Sequence, residues 1–490
     1  MSQMSLGSSY ADDKGGSGSK SLKWSALGLI GKQGVVLAFS VLLARLLGPQ
    51  AYGLVAQATV YIALTTLLLD QGVSAALTNV GVLSRRTAGA AVTLNLLLAV
   101  VLSGLTFAAA PFVSAFFREP DLTPILDVLG VALLFKAGQI VPRLLLSRHL
   151  DFRSIALSDF AGAALGGLLG LVLALATGSY WALVFQSTAM DFVTMVVLIF
   201  FARPPLPNRS IRLMLEHIGF SARVFGSNLV GYIASNASNI FIGRFLGSSQ
   251  VGFYSFAYGF LQLPVSITGQ VLNRVLFPVI ARKSFRSEPV AELILRALRG
   301  ISTLTFPLMA LLAVAAQDLV LVFLGPDWLP AVPVMMILAL SGARQSLTTL
   351  NTPILLGLGK ASLQLRFSIV AAILQVAAVV VGLLWGIVGV ATCFTIAGFL
   401  LTPLISLIQK RVANVSYAGQ WRAVFPALHA SLWLIAAYLG VSVLVPGPPI
   451  VQAIMGCAAS LLVFFLVIRL IHRAHWEAVW RDIRAGIRRR

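Results

Sequence analysis

Cysteine, histidine and acid are all scarce in this chain. Its 490 residues include two cysteines and five histidines, and 16 Asp and Glu stand against 36 Lys and Arg. Cys393 and Cys457 both fall inside apolar runs, which excludes a disulfide framework, and no metal-ligand spacing is present. Between residues 24 and 471 no hydrophilic stretch is long enough for a water-soluble domain. No phosphate-binding glycine loop occurs, and no Ser, His and Asp set that a hairpin would bring together. A membrane-embedded glycan polymerase or ligase would need a sizeable loop carrying acids or Arg and His. The largest outer loop, residues 116–123, offers Arg118, Glu119 and Asp121. Neither an enzyme nor a cofactor is expected.

What the chain has is apolar sequence. Hydrophobic residues make up 58% and charged residues 11%, with a mean hydropathy of +0.92. About fourteen apolar stretches of roughly 20 residues follow one another, each long enough to span a bilayer. The expected class is an all-α polytopic membrane protein. The net charge of +20 forms no continuous basic domain, so nucleic acid is not an expected partner. With the N-terminus in the cytoplasm, the 36 Lys and Arg fall on the inner side except Lys32, Arg45, Arg118, Lys136 and Arg244. That bias is the positive-inside pattern and puts both termini in the cytoplasm. Trp24, Trp181, Trp328, Trp385 and Trp421 fall at expected span ends, where an indole suits the headgroup layer.

A repeated elbow organises the chain. Leu43 opens the stretch LARLLGPQAYGL, and Ile242 opens IGRFLGSSQVGF. Both carry Arg, an apolar residue, Leu, Gly, four variable residues and a second Gly. Each lies between two apolar stretches, and Gly48 and Gly247 suit the positive-φ stop of a helix. Two copies in equivalent places predict two pseudo-repeated six-helix lobes with a path between them. The expected organisation is a disordered tail (1–23), an N-terminal lobe (24–210), a C-terminal lobe (211–412), then two further spans and a basic amphipathic tail (413–490). The lobes are expected to join at the run Arg203, Pro204, Pro205, Leu206 and Pro207. An apolar face of Ile211, Met214, Leu215 and Ile218 is expected to lie at the membrane interface. So is the stripe Trp476, Val479, Trp480, Ile483 and Ile487, flanked by arginines that suit anionic inner-leaflet lipids.

Ionisable groups at membrane depth need partners or water, since an insertion scale assigns about 2.5–3.5 kcal/mol to one at a span centre. Lys32 lies roughly 12 Å into the first span at 1.5 Å per residue. Lys136, Asp191 and Arg344 fall in the same inner half, and Asp70 slightly nearer the cytoplasm. A cationic cavity holding an anionic group such as phosphate explains them. Buried pairing is the alternative, with Asp70 or Asp191 as the partner of Lys32. Asp70 and Asp191 are also the candidate ion-coupling acids. Gln57 and Tyr61, then Asn236, Tyr258 and Gln262, keep mostly helical spacing and suit a glycan path or interhelical hydrogen bonds.

The stretches LLARLLGPQAYGLVAQATVYIALTTLLLDQGVSAAL, LLLSRHLDFRSIALSDF and IGRFLGSSQVGFYSFAYGFLQLP, with NRVLFPVIAR, resemble the bacterial polysaccharide repeat-unit flippases. These belong to the multidrug, oligosaccharidyl-lipid and polysaccharide exporter superfamily. The resemblance implies a fourteen-helix inner-membrane protein of alternating access, its cavity between spans 1–6 and 7–12. It further implies an undecaprenyl-pyrophosphate-linked oligosaccharide as substrate, for exopolysaccharide, capsule or O-antigen-like assembly. Polysaccharide polymerase and export machinery are the implied partners. In the family, cavity cations engage the pyrophosphate; here that role falls first to Lys32, then to Lys136, Arg344 and Arg274. Alternatives are a peptidoglycan lipid-precursor flippase, a multidrug antiporter, a glycan polymerase or ligase, and a non-transporting scaffold.

Overall fold

The computed structural model describes residues 15–78, 84–208, 218–286, 288–445 and 447–488. Among them nearly all residues are helical and no strand occurs. Helices α1 (Gly15–Thr78), α2 (Arg85–Phe117), α3 (Leu122–Arg148), α4 (Phe152–Thr177) and α5 (Trp181–Ala202) come first. Then follow α6 (Ile218–Leu246), α7 (Ser248–Phe285), α8 (Ala291–Val314), α9 (Ala316–Phe323), α10 (Ala331–Thr348) and α11 (Asn351–Gly357). The last are α12 (Ala361–Gly382), α13 (Gly386–Ala413), α14 (Tyr417–Leu444), α15 (Pro449–Leu470) and α16 (Arg473–Arg488). The first helix begins at Gly15, upstream of the start expected at Trp24. The face from Ile211 to Leu215 lies outside the described residues.

Nine stretches among the described residues are long and apolar enough to cross a membrane, and two of them, Gly31–Asp70 and Ala361–Ala413, run to 40 and 53 residues. A crossing needs roughly 20 residues, so each is two crossings. Gly48 divides the first with φ 77°, and Gly386 divides the second with φ 70°. The surface is apolar where a soluble protein's would be polar. Leu97, Val100, Val101 and Leu105 on α2, and Leu165, Leu168 and Val172 on α4, are exposed. Such faces are stable only against hydrocarbon. This is a multi-pass membrane protein.

Short polar caps end the helices. Ser84 and Ser416 start α2 and α14 by accepting the backbone N–H of Thr87 and of Gly419, each at 3.0 Å. Asp151 starts α4 by accepting that of Ser154 at 3.1 Å. These side chains satisfy donors that the first turn leaves open. The expected aromatic belt needs one correction. Trp24, Trp385 and Trp421 are exposed, but Trp328 is 0% exposed. Its indole packs on the rings of Phe253 and Phe256 at 5.9 and 4.8 Å, because the 3₁₀ turn after Gly325 folds it inward.

The chain divides into two compact units, one of Met1–Asn236 with Gly247–Gly252, the other of Ala237–Leu246 with Phe253–Arg490. In the first, α4 lies between α1 and α5, and its glycines make room. A Cβ on Gly166 would stand 2.8 Å from the Met190 nitrogen, and one on Gly170 2.7 Å from the Gln186 Cβ. Gly162 faces Thr194 in the same row, and Gly167 faces the Phe39 ring. Small residues four apart let membrane helices approach backbone to backbone.

The two elbows meet within this unit. Gly48 and Gly247 both adopt positive φ, at 77° and 89°. A Cβ on Gly53 would collide with the Ser248 carbonyl and stand 2.9 Å from the Gly252 nitrogen. A Cβ on Gly252 would collide with the Pro49 carbonyl. The second glycine of each copy is therefore the contact point with the other copy. Glu119 adds to this corner by accepting the Ser248 N–H at 3.3 Å.

In the second unit α14 packs on α8 and α15. The Tyr438 hydroxyl donates to Asp318 at 2.6 Å and Ser460 donates to the Leu434 carbonyl at 3.0 Å. Gln409 donates to Asn351 at 2.8 Å. The terminal helix α16 rests on α8, where Asp482 lies 3.7 Å from Arg296 and 3.8 Å from Arg299.

Candidate functional site

The membrane-depth charges of the first unit form a network across α1, α3, α4 and α5. The Arg143 guanidinium grips Asp159 with two hydrogen bonds of 2.6 and 3.1 Å. Lys32 reaches the same carboxylate at 3.5 Å. Lys136 pairs with Asp191 at 2.9 Å. Gln139 braces that pair by donating to the Asp191 carbonyl at 2.9 Å and to its carboxylate at 3.4 Å. Asp70, on α1, is exposed and forms no ion pair among the described residues.

Lys32 thus has a partner, but neither of the two expected. Asp159 and Arg143 had not been singled out as functional. They stand 16 residues apart, at mirrored distances from the turn at Asp151, and a helical hairpin places such residues at one depth. Arg143, Lys32 and Lys136 are held by Asp159 and Asp191, so each cation already has a carboxylate. An incoming anion must therefore take a cation away from a carboxylate. The geometry favours Lys32 for this. Its pair is the longest, its side chain is 34% exposed, and Asp159 keeps the Arg143 fork when Lys32 leaves. Lys136, in a one-to-one pair, has no such relief.

The polar candidates are placed separately. Gln57 is 0% exposed, and neither end of its amide makes a hydrogen bond within the protein. Tyr61 packs against the apolar core of the first unit. Asn236 donates to the Tyr232 carbonyl and the Ser235 hydroxyl at 3.0 and 3.2 Å. In the second unit, Tyr258 stacks on Tyr254 at 6.1 Å and meets Phe394 edge-on at 6.2 Å. Gln262 is exposed. Arg274 sits on α7, its side chain outside the described residues. Arg344 is 7% exposed and lines a cavity in the second unit.

A family model described as a polysaccharide biosynthesis protein matches residues 42–333. The chain is 24% identical over 395 residues to the lipopolysaccharide biosynthesis protein WzxC of Escherichia coli K12, covering 79% of this chain and 78% of that one. It is 25% identical over 368 residues to the succinoglycan biosynthesis transport protein ExoT of Rhizobium meliloti, covering 75% and 74%. A solved structure of the lipid II flippase MurJ, in an inward closed conformation, matches with a TM-score of 0.76 at 11% identity. That match covers 92% of this chain and 99% of MurJ, and it is a likeness of fold.

Proposed function

The chain belongs to the polysaccharide biosynthesis protein family, and from that premise we propose that it flips undecaprenyl-pyrophosphate-linked oligosaccharide repeat units by alternating access. It is a multi-pass protein of the bacterial inner membrane, read here with fourteen spans and both termini cytoplasmic. Its two lobes are taken as residues 24–210 and 211–412, and residues 413–490 supply two further spans and a basic tail. Polysaccharide polymerase and export machinery are its proposed partners, and the tail is proposed to meet anionic lipids.

The observation that carries this reading is the shared carboxylate. Asp159 holds Arg143 and Lys32 at once, so Lys32 can turn to a phosphate without leaving an acid bare. Ionisable groups at membrane depth mark substrate paths by default. A pyrophosphate meeting Lys32, with Lys136 beside it, replaces one carboxylate by another anion at small net cost. Gln57 supplies the clearest polar support for a glycan, because its unpartnered amide needs a hydrogen-bonding ligand or water. Asp70 and Asp191 are the proposed coupling acids.

The test is leaflet exchange of a fluorescent polyprenyl-pyrophosphate oligosaccharide in vesicles. Wild type should exchange the lipid, Lys32→Ala should slow it at least tenfold, and Lys32→Arg should keep most of it. Exchange unchanged in Lys32→Ala would make the Lys32 pair structural. No exchange by folded wild type would overturn the transport reading.

A further inference from the structure

The second unit encloses a cavity of about 570 Å³ between α8, α10, α13 and α14. Its walls are apolar but for a few groups, and Arg344 is the one charged residue among those described as lining it. Arg344 is 7% exposed and Ser431, across the cavity, 5%. The Arg344 Nε and the Ser431 hydroxyl make no hydrogen bond within the protein. Among the described residues no carboxylate pairs with Arg344.

The position makes this costly. A Cβ on Gly398 would stand 2.6 Å from the guanidinium, and Gly398 lies roughly 18 Å along α13 at 1.5 Å per residue. The charge therefore lies beside the middle of α13. A guanidinium there cannot shed its proton, so an anion from outside the chain must compensate it.

Tyr417 and Gln420 line the cavity near the start of α14, Ser431 lies roughly 21 Å farther along that helix, and Met309 and Phe306 belong to its apolar wall on α8. Along α14, from Tyr417 to Ile435, the lining spans roughly 27 Å. Leu340, Phe399 and Leu432 are lining residues that are also exposed, so the cavity is open along its side.

We propose that this cavity is a binding site for one phosphodiester lipid of the bilayer, with its phosphate on Arg344, its polar head toward the Gln420 end of the cavity, and an acyl chain along the apolar wall. One cation matches the single negative charge of a phosphodiester. A pyrophosphate brings more charge than the cavity holds, and a neutral lipid leaves Arg344 bare. A fatty acid lacks a group for the amides. The site uses none of the residues of the first unit's charge network.

Native mass spectrometry of the full-length protein, released from a neutral detergent, tests this with phosphatidylglycerol as the probe. Wild type should hold one phosphatidylglycerol. Arg344→Gln should bind it about tenfold or more weakly, as loss of a charge-assisted contact predicts, and Ala343→Leu should weaken it by filling the space. Diacylglycerol, which has the chains but no phosphate, should not compete. Equal binding to wild type and Arg344→Gln would overturn the proposal, as would equal binding of diacylglycerol. A polyprenyl phosphate that displaces phosphatidylglycerol at equal concentration would overturn it by assigning the cavity to the transported lipid's class. Binding is read directly, so a chain that fails to exchange glycan lipid still gives an answer.

Discussion

In the first unit Lys32, Lys136 and Arg143 each face a carboxylate within 3.5 Å, whereas in the second unit Arg344 faces none among the described residues and opens on an apolar cavity. Both arrangements put cations at membrane depth, yet they tie charge to stability in opposite ways. In the first, the cations and acids hold each other, and removing one strands another. In the second, the cation is held by packing alone, and its removal strands nothing. Charge at depth is thus a joint of the fold in one unit and a vacancy for a ligand in the other.

Breaking the joint should give the largest effect. Asp159→Ala leaves Arg143 and Lys32 facing each other without an acid. The loss should be about 2–3 kcal/mol, allowing for the partial exposure of both cations, read as a lowered unfolding midpoint in micelles. An unchanged midpoint would mean that the network contributes nothing to the first unit. The Lys136–Asp191 pair gives a finer test. Lys136→Asp and Asp191→Lys should each destabilise, and the double reversal should recover about 1–2 kcal/mol as pairwise coupling. Absence of coupling would show that Gln139, not Lys136, anchors Asp191.

The contrasting change is Arg344→Met. It removes an uncompensated charge and leaves a side chain of similar reach in an apolar wall. The stability of lipid-free protein should be unchanged or should rise by about 1 kcal/mol, as replacement of buried charge by packed apolar groups often does. A loss of more than that would reveal a protein partner for Arg344 and would erase the difference between the units.

How much of this the sequence shows depends on how local the cause is. The elbows are legible because a positive-φ glycine is a property of one residue, and both Gly48 and Gly247 have it. The role of Gly53 and Gly252 is less so, since only the meeting of the two copies explains why neither tolerates a Cβ. The charges of Lys32 and Lys136 are visible in any apolar run. Their partners are not, because Asp159 reaches Lys32 through the stacking of α4 on α1. That stacking rests on Gly28 against Ala156 and Gly167 against Phe39, pairs too far apart in sequence to announce each other, whereas the more legible row Gly162, Gly166 and Gly170 faces α5. Arg143 falls with the inner-side basic residues by the positive-inside pattern, which says nothing of its fork on Asp159. Trp328 looked like an interfacial indole because position along a span says nothing of which way a 3₁₀ turn folds. For Arg344, depth was legible and company was not, since an empty wall leaves no mark in a single sequence.

His475 sharpens the comparison inside the second unit. Like Arg344 it is buried, at 7% exposure, and no carboxylate pairs with it among the described residues. Unlike arginine, it can remain neutral. Its ring meets the Thr303 hydroxyl at 2.8 Å, and burial, then the charge of Arg299 on α8 and His472 before α16, pushes its pKa down to about 4. The folded form binds the proton less readily than the unfolded chain, whose histidine titrates near 6.5. Stability from this group is therefore complete above about pH 6.5 and is lost as pH falls from there toward 4. By pH 6 the loss should be about 0.8 kcal/mol relative to pH 7.5, and it should grow below that. Unfolding midpoints of wild type and His475→Gln, compared from pH 7.5 to 5, measure it. Wild type should fall more steeply than the variant, whose amide keeps a polar contact with Thr303 and has no proton to gain. Parallel slopes would place the titrating group elsewhere, with His472 the next to replace. A steeper wild-type slope means that the second unit tolerates a buried ionisable group in water-facing structure by neutralising it, an escape that Arg344, within the span, does not have.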